Sequence, residues 1–206
     1  MPSHQGDGSI GYQPGEHGLE EGSRRAILGA ALELTAEVGY AGLTVDGIAA
    51  RAGTGKQTIY RWWPSKDDVL LEALADRAAL DVVVPDQGCY RADLQAFLIA
   101  SFALGRLPHV SDILRALMAR AQIDEEFGQR FRASFLQHRR DALAVLVDRA
   151  QARGDLPGKL APDTVADVVF GVIWYRLLAG REPFSDRLAS EIASTLAAPD
   201  GNVPAG

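Results

Sequence analysis

The sequence predicts an all-α protein of about nine helices, in which short N-terminal helices precede a larger helical body. Apolar residues recur at helical spacing along most of the 206 residues, and Gly or Pro separates the resulting segments. The one run of strand type, Val82–Val84, is too short to matter. We expect disordered tails at residues 1–22, which are rich in glycine, and at residues 199–206.

Four helices are predicted in the N-terminal part. Ser23, Thr44 and Ser65 can each cap a helix, because their hydroxyls accept hydrogen bonds from the free N–H groups of a first turn. Gly39 and Gly53 end the first two helices, since glycine adopts the left-handed backbone that often follows a helix. The predicted helices comprise residues 23–38, 44–51, 55–62 and 67–81.

Five further helices are predicted after a loop that contains Pro85. Three acids at residues 124–126 start the longest of them, because carboxylates stabilise the positive end of a helix, and Gly154 ends it. Pro162 is a favourable first-turn residue for the next helix. The apolar faces span residues 94–102, 110–121, 127–150, 165–177 and 188–196.

Composition excludes several classes of protein. The single cysteine, Cys89, cannot form an intramolecular disulfide, and a lone thiol fits a reducing compartment. The longest apolar run, Val168–Tyr175, is far shorter than the roughly 20 residues that cross a bilayer. No signal-peptide pattern is present at the N-terminus. We therefore expect a cytoplasmic protein with no membrane partner.

Charge is distributed unevenly along the chain. The net charge is −6, but residues 22–66 have six basic and three acidic residues, which leaves 15 basic and 24 acidic residues elsewhere. Arg51–Lys66 has four basic residues and no acid. A basic segment on an acidic body is typical of phosphate binding, although a solvated charged face gives the same pattern.

Residues 44–62 have the form of a helix-turn-helix. Two short helices flank residues 52–54, where Gly53 tolerates the left-handed backbone of the turn. Ile59 is the inward anchor of the second, recognition helix. Glutamine pairs with adenine, lysine or arginine with guanine, and hydroxyls with phosphate oxygens. The outward residues of this helix suit such contacts and include no acid: Lys56, Gln57, Thr58, Tyr60, Arg61 and Trp62.

The run Thr44–Lys66, preceded by Ala36–Leu43 and followed by Val69–Leu71, resembles the N-terminal domain of TetR-type transcriptional repressors. Phe170–Pro183 is also similar to members of that family. The resemblance implies a homodimer that binds a palindromic double-stranded DNA operator, with one recognition helix of each subunit in the major groove. It further implies that the dimer leaves the operator when a small molecule enters the C-terminal domain.

The family pattern also implies roles for individual residues. Lys56, Gln57 and Thr58 would face bases or nearby phosphates, while Tyr60, Lys66 and Thr44 would hold the phosphate backbone and Trp63 would be core. Trp62 stands where the family often has histidine, so its role is open. The predicted DNA-binding residues are Thr44, Thr54, Lys56, Gln57, Thr58, Tyr60, Arg61, Trp62 and Lys66.

Enzymatic and metal-binding functions have weak support in the sequence. Gly53–Lys56 lacks the spacing, the following hydroxyl and the preceding strand of a phosphate-binding loop. The four histidines have no metal-ligand spacing, and no Gly-x-Ser-x-Gly elbow occurs. We expect no catalytic residue, metal or cofactor. The alternative hypothesis is a helical small-molecule-binding or catalytic protein without a regulatory DNA role.

Aromatic side chains of the C-terminal body form the candidate ligand pocket. Small-ligand sites are mostly apolar, although any one of these residues can equally be core. His109, His138 and Arg176 are either the polar groups that orient a ligand or ordinary surface residues. The candidate lining residues are Phe97, Phe102, Met118, Phe127, Phe131, Phe135, Trp174 and Tyr175.

The last two predicted helices are strongly apolar for terminal elements, and Gly171 permits the close approach of another helix. Paired with their symmetry mates they would form an isologous four-helix interface, whereas in a monomer they would be core. The candidate interface residues are Val168, Gly171, Val172, Leu188 and Ile192.

We therefore predict a helix-turn-helix DNA-binding domain at residues 23–66 and a ligand-binding and dimerisation domain at residues 67–198. The predicted function is that of a ligand-responsive transcriptional repressor, released from DNA by a small apolar or amphipathic effector. The predicted switch is a tilt of helix 67–81 that changes the separation of the two recognition helices.

Overall fold

The computed structural model describes residues 15–81, 84–156, 161–180 and 184–197, which form ten α-helices and no strand. A π-helical segment, Arg132–Leu136, joins the seventh helix to the eighth without a break and is called the π segment below. The all-α prediction is confirmed; the predicted tail 199–206, residues 1–14 and Val82 and Val83 lie outside the described residues. The helices are α1 (Gly15–Gly42), α2 (Val45–Ala52), α3 (Lys56–Trp62), α4 (Lys66–Asp81), α5 (Tyr90–Gly105), α6 (Pro108–Ile123), α7 (Glu125–Phe131), α8 (Gln137–Arg153), α9 (Pro162–Ala179) and α10 (Asp186–Leu196).

The first helix is longer than the sequence predicts. Because α1 begins at Gly15, residues 15–22 are helical and Ser23 lies inside the helix, so the predictions of a tail up to residue 22 and of a Ser23 cap are wrong. Glu21 supports the added turns through ion pairs with Arg24 at 3.7 Å and Arg25 at 3.6 Å. The glycines of this stretch, which disfavour helix in isolation, concealed it. Gly39, with φ 73°, kinks α1 where the sequence predicts its end.

The helix-turn-helix forms where the sequence predicts it. The Thr44 hydroxyl accepts a 3.0 Å hydrogen bond from the Gly47 N–H and caps α2. Gly53, with φ 66°, ends α2 in the left-handed conformation and starts the turn into α3. Ile48 and Ile59 are fully buried, so each of the two helices is held by an inward anchor.

The C-terminal body is built on a continuous apolar core that also reaches the N-terminal helices. The Asp124 carboxylate caps α7 by accepting a 3.0 Å hydrogen bond from the Phe127 N–H, and this bond lowers the pKa of Asp124. The long helix predicted from residue 124 to residue 154 forms as one continuous run, within which the π segment replaces the α-helical hydrogen-bond pattern. Gly154, with φ 74°, ends α8 as predicted.

Among the described helices, no single one is long and apolar enough to cross a bilayer. Length and composition would allow only a combination of α5 with α6, and these two helices are bent by 89° relative to each other.

Candidate functional site

The recognition helix α3 presents a polar, acid-free surface. Ile59 is buried, whereas Lys56, Gln57, Tyr60 and Arg61 are exposed. Seven residues give two turns, which suffice to place side chains of one face against base edges of a major groove. This geometry brings four of the predicted DNA-binding residues onto one accessible surface.

Two cations of this surface are paired with acids from other helices. Lys56 Nζ contacts Asp46 Oδ1 of α2, and Arg61 Nη2 lies 3.4 Å from Glu20 Oε1 of α1. All four side chains are more than half exposed, so solvent screens both pairs strongly. Phosphate oxygens can therefore displace these carboxylates at small cost.

The other predicted DNA-binding residues have structural contacts of their own. Thr44 is exposed, but its hydroxyl is engaged in the α2 cap. Thr54 and Thr58 are half-buried, with backbone N–H groups bonded to Ala49 O and Gly55 O, both at 3.0 Å. Their roles at DNA stay predictions.

Lys66 lies at the start of α4 and is half-buried. Its Nζ donates hydrogen bonds of 3.0 Å to the carbonyls of Tyr40 and Leu43 and lies 4.4 Å from the centre of the Tyr40 ring. The Tyr40 hydroxyl donates to Asp67 Oδ1 at 2.8 Å. Burial, together with this bond, raises the pKa of Tyr40 to about 12. Lys66 therefore joins the end of α1 to α4, and an ammonium group has a third proton for a phosphate.

The two tryptophans at the end of α3 face the body of the protein. Trp63 is buried, as the family pattern implies, and its Nε1 donates to Glu72 Oε2 at 2.8 Å. Trp62 is half-buried, packs edge-to-face on Trp63 with ring centres 5.4 Å apart, and has the Arg61 guanidinium 5.0 Å from its own ring centre. It lines a groove between α4 and the π segment, called the junction groove. The groove residues are Arg24, Trp62, Trp63, Pro64, Asp68, Leu71, Glu72, Ala75, Asp76, Arg130, Ala133, Ser134 and His138.

Two arginines of the body hold the start of α4. Arg120 Nη1 donates to Ser65 Oγ at 2.6 Å and to Asp67 Oδ2 at 2.9 Å, and its guanidinium lies 4.4 Å from the Phe127 ring centre. Arg130 Nη2 donates to the buried Asp68 at 2.8 Å. The Ser65 hydroxyl accepts a 3.4 Å hydrogen bond from the Asp68 N–H, so the predicted cap of α4 forms. We call Arg120, Arg130, Ser65, Asp67 and Asp68 the α4 network.

A cavity of about 170 Å³ lies in the body and is called the effector cavity, after the role that the family resemblance implies for it. Its walls come from α5, α6, the π segment, α8 and α9, and the Phe184 ring, stacked on Phe102 at 4.8 Å, closes one side. Apart from Gly105, its lining is apolar except for one serine and two arginines. The lining residues are Ser101, Leu104, Gly105, Leu114, Phe135, Leu136, Arg139, Arg140, Phe170, Ile173, Trp174, Leu177 and Phe184.

Phe135 and Trp174 are the two predicted pocket residues that line this cavity. The other six do not line this cavity, and the structure gives them different surroundings. Tyr175 is 59% exposed and Met118 packs half-buried against the core. Four are core residues that are no more than 2% exposed, namely Phe97, Phe102, Phe127 and Phe131.

The polar residues of the effector cavity have no sequence signal that distinguishes them from surface residues. Arg139 Nη2 donates to Ser101 Oγ at 2.9 Å, and its guanidinium lies 5.9 Å from the Phe135 ring centre. Arg140 Nη1 donates to Asp167 at 2.8 Å, and this bond raises the pKa of Arg140. His138 lines the junction groove and Arg176 a shallow surface groove beside Val168, so neither lines the effector cavity.

An apolar stripe runs along the outer face of α9. Val168 is 42% exposed, Tyr175 59% and Leu178 54%, and Gly171 between them has nothing within 4 Å of its Cβ position. The other candidate interface residues, Val172, Leu188 and Ile192, are half-buried.

Comparison with known proteins matches both the N-terminal and the C-terminal part of the chain to family models of one kind of regulator. Residues 27–73 match the family model described as bacterial regulatory proteins, tetR family. Residues 84–196 match the model of the tetracyclin repressor-like C-terminal domain.

Among curated proteins, an uncharacterized HTH-type transcriptional regulator, YdeS of Bacillus subtilis, is 32% identical over 84% of this chain and 87% of its own length. The DNA-binding transcriptional repressor TetR of Mycobacteroides abscessus is 28% identical over 84% of this chain and 93% of its own. Among solved structures, the TetR family transcription regulator SCO0332 is similar with a TM-score of 0.73 and 30% identity, covering 84% of this chain and 96% of that one. The exposed recognition helix lies in the part that matches the N-terminal family model, and the helical body lies in the part that matches the C-terminal one. The chain therefore belongs to the TetR family of transcriptional regulators and is a DNA-binding regulator.

Proposed function

We propose that this regulator is a repressor that binds a palindromic operator as a homodimer and leaves it when a small molecule occupies the effector cavity. The observation that carries this proposal is the position of the π segment. It forms a wall of the effector cavity on one side and a wall of the junction groove, next to the recognition helix, on the other.

The DNA side of the proposal rests on the exposed face of α3. Gln57 is exposed in the first turn and is the side chain suited to read adenine, whereas Lys56, Tyr60 and Arg61 suit guanine or phosphate oxygens. Thr44 and Lys66 add phosphate contacts near the two ends of the motif. These contacts give an affinity that falls steeply with salt, because each neutralised phosphate releases counterions.

The dimer of the proposal is formed by α9 and α10. The exposed stripe of Val168, Tyr175 and Leu178 is apolar surface that a second copy would bury, and Gly171 leaves room for close helix approach. Two-fold symmetry is also what a palindrome requires, with the recognition helices about 34–36 Å apart.

The coupling of the proposal runs through the π segment to α4. Phe135 and Leu136 line the effector cavity, while their neighbours Ala133 and Ser134 line the junction groove with Trp62. An occupant that displaces Phe135 must move the segment that packs beside α4. A π segment has a less regular hydrogen-bond pattern than an α-helix, which makes it the natural place for such a shift. The α4 network then carries the shift into the helix that bears the DNA-binding domain.

The test is a gel shift of the purified full chain on duplex DNA from upstream of its own gene. We expect a complex of one or more dimers whose affinity falls by a factor of about 10³–10⁵ between 50 and 200 mM salt, as expected for 6–10 phosphate contacts. A protein that is monomeric in solution and leaves every duplex unshifted in dilute buffer would refute the proposal.

A further inference from the structure

The stretch Arg51–Lys66 contains no acid in sequence, but folding brings carboxylates to its cations. Each arginine or lysine from the end of α2 to the end of α3 is paired with an acid that lies outside the stretch. The pairs are Arg51 with Glu37 of α1, Lys56 with Asp46 of α2, and Arg61 with Glu20 of α1. The cations of the helix-turn-helix therefore have anionic partners in the free protein.

These pairs differ in geometry. Arg51 donates to both oxygens of Glu37, at 2.8 and 2.6 Å, so this pair joins α2 to α1. Lys56 is the first residue of α3 and contacts Asp46 in the first turn of α2, and both side chains are more than half exposed. An exposed ion pair of this kind adds little to stability. Its main effect is therefore on what the Lys56 ammonium can bind.

The Lys56 ammonium can be shared between Asp46 and a neutral acceptor. An ammonium group has three N–H donors, of which the Asp46 carboxylate occupies one. Guanine presents the neutral acceptors O6 and N7 in the major groove, so it can bind the ammonium while the carboxylate stays in place. A phosphate oxygen on the same ammonium is a second anion close to Asp46 and is repelled by it. The carboxylate therefore disfavours a phosphate contact of Lys56 more than a base contact.

We propose that Asp46 positions Lys56 for a guanine edge and keeps it off phosphate, which makes Asp46 a residue that determines the sequence specificity of the regulator. The inference rests on the part of the proposed function in which α3 enters the major groove, and it does not depend on the effector cavity or the dimer interface. Non-specific affinity for DNA comes almost wholly from contacts between cations and phosphates. Asp46 thus weakens binding to unrelated DNA while the operator complex keeps its base contact.

The pair of Arg61 and Glu20 is the internal comparison. Arg61 lies in the last turn of α3, with its guanidinium 5.0 Å from the Trp62 ring centre, and is expected to contact phosphate on every duplex. Because the same kind of phosphate is met on operator and on unrelated DNA, Glu20 weakens binding to both alike. Removal of Glu20 should change affinity without changing specificity, in contrast to removal of Asp46.

The experiment starts with selection of a duplex from a random-sequence pool by the unaltered full chain, followed by gel-shift titration of the selected duplex and of a random one. Asp46→Asn should bind the random duplex about fivefold more tightly, the factor that corresponds to the repulsion of two unit charges about 4 Å apart in water. Its salt slope on that duplex should steepen by about 0.9, because one phosphate contact is gained. Affinity for the selected duplex should change much less. A second selection with Asp46→Asn should lose the enrichment of one guanine in each half-site, and Asp46→Glu, which keeps the carboxylate, should restore it.

Two further variants separate this role from a general effect of charge. Glu20→Gln should strengthen binding to both duplexes alike, and Glu191→Gln, which removes the acid of an exposed pair on α10, should leave both affinities unchanged. An equal gain of Asp46→Asn on the two duplexes would overturn the inference. So would an equal loss with a lower melting temperature, which would show that the pair only holds α2 against α3. If the unaltered chain enriches a sequence and Asp46→Asn behaves like Glu191→Gln, the inference fails alone. If the unaltered chain enriches no sequence, the DNA side of the proposed function fails and the inference fails with it.

Discussion

Replacing Arg120 by methionine tests whether the α4 network holds the DNA-binding domain on the body. The substitution keeps an unbranched apolar stem that can pack on Phe127 and removes the charged hydrogen bonds to Ser65, Asp67 and Asp124. Asp67 is then left 13% exposed, with the Tyr40 hydroxyl as a remaining donor. Removing one partner of a fully buried ion pair costs about 3–5 kcal/mol.

The expected loss is smaller here because the Arg120 side chain is 25% exposed and solvent screens part of the interaction. We expect the free energy of unfolding to fall by about 2 kcal/mol, measured by equilibrium urea unfolding at neutral pH. Arg187→Met is the matched control, since the Arg187–Glu191 pair is exposed on both sides and its loss should change stability little. In the double variant Arg120→Met with Asp67→Asn, the losses should be less than additive, because the unpaired carboxylate is gone. Equal losses in Arg120→Met and Arg187→Met would refute this account of the network.

Four further predictions concern single positions. Gln57→Ala should change the sequence preference by about 1–3 kcal/mol per lost base contact, whereas Arg61→Ala should weaken binding to all duplexes alike. Gel shifts on operator and random DNA measure both effects. If Gln57→Ala weakens binding to the two DNAs equally, Gln57 does not read a base. Lys66→Met should lower the melting temperature as well as DNA affinity, because the 3.0 Å bonds to Tyr40 and Leu43 are lost, and an unchanged melting temperature would contradict this. If the proposed dimer forms through α9, Val168→Asp should shift it to monomer in light scattering, since a carboxylate would be buried in an apolar interface. The pKa of Tyr40 is about 12 in the folded chain against 10.0 ordinarily, so the stability that its protonated hydroxyl contributes should be complete below pH 10 and be lost as the pH rises to about 12. In Tyr40→Phe, the free energy of unfolding should fall less between pH 10 and pH 12 than in the unaltered chain.

The N-terminal domain was the most predictable part of the molecule. Its helices begin or end at residues that act locally: Thr44 and Ser65 cap the starts of α2 and α4, and the left-handed Gly53 ends α2. The first turns of α1 are not evident from the sequence, because the low helix propensity of three glycines masks the favourable propensity of the glutamates. Their support comes in part from Arg61, which lies far along the chain and close only after folding.

The effector cavity was less predictable, for a physical reason. Periodicity places Phe97 and Phe135 on inward faces, but it does not show that Phe135 borders the cavity and Phe97 does not. The π segment has no composition signal, because one extra residue per turn changes the backbone and not the residue types. Arg139 resembles its surface neighbours in sequence, and its contact with the buried Ser101 forms only once the chain has folded.

In the proposed switch, the π segment lies between the residues that would select the ligand and the residues that would transmit its binding to DNA. Leu104 on α5 and Ile173 on α9 shape the effector cavity from walls other than the one it shares with the junction groove. If the cavity receives the effector as proposed, substitutions at those two positions would change which ligand is bound and leave the face toward Trp62 intact. After gene duplication, a regulator built in this way could change its ligand and keep its DNA response. The same two positions are therefore the place to begin in designing a biosensor for a new ligand.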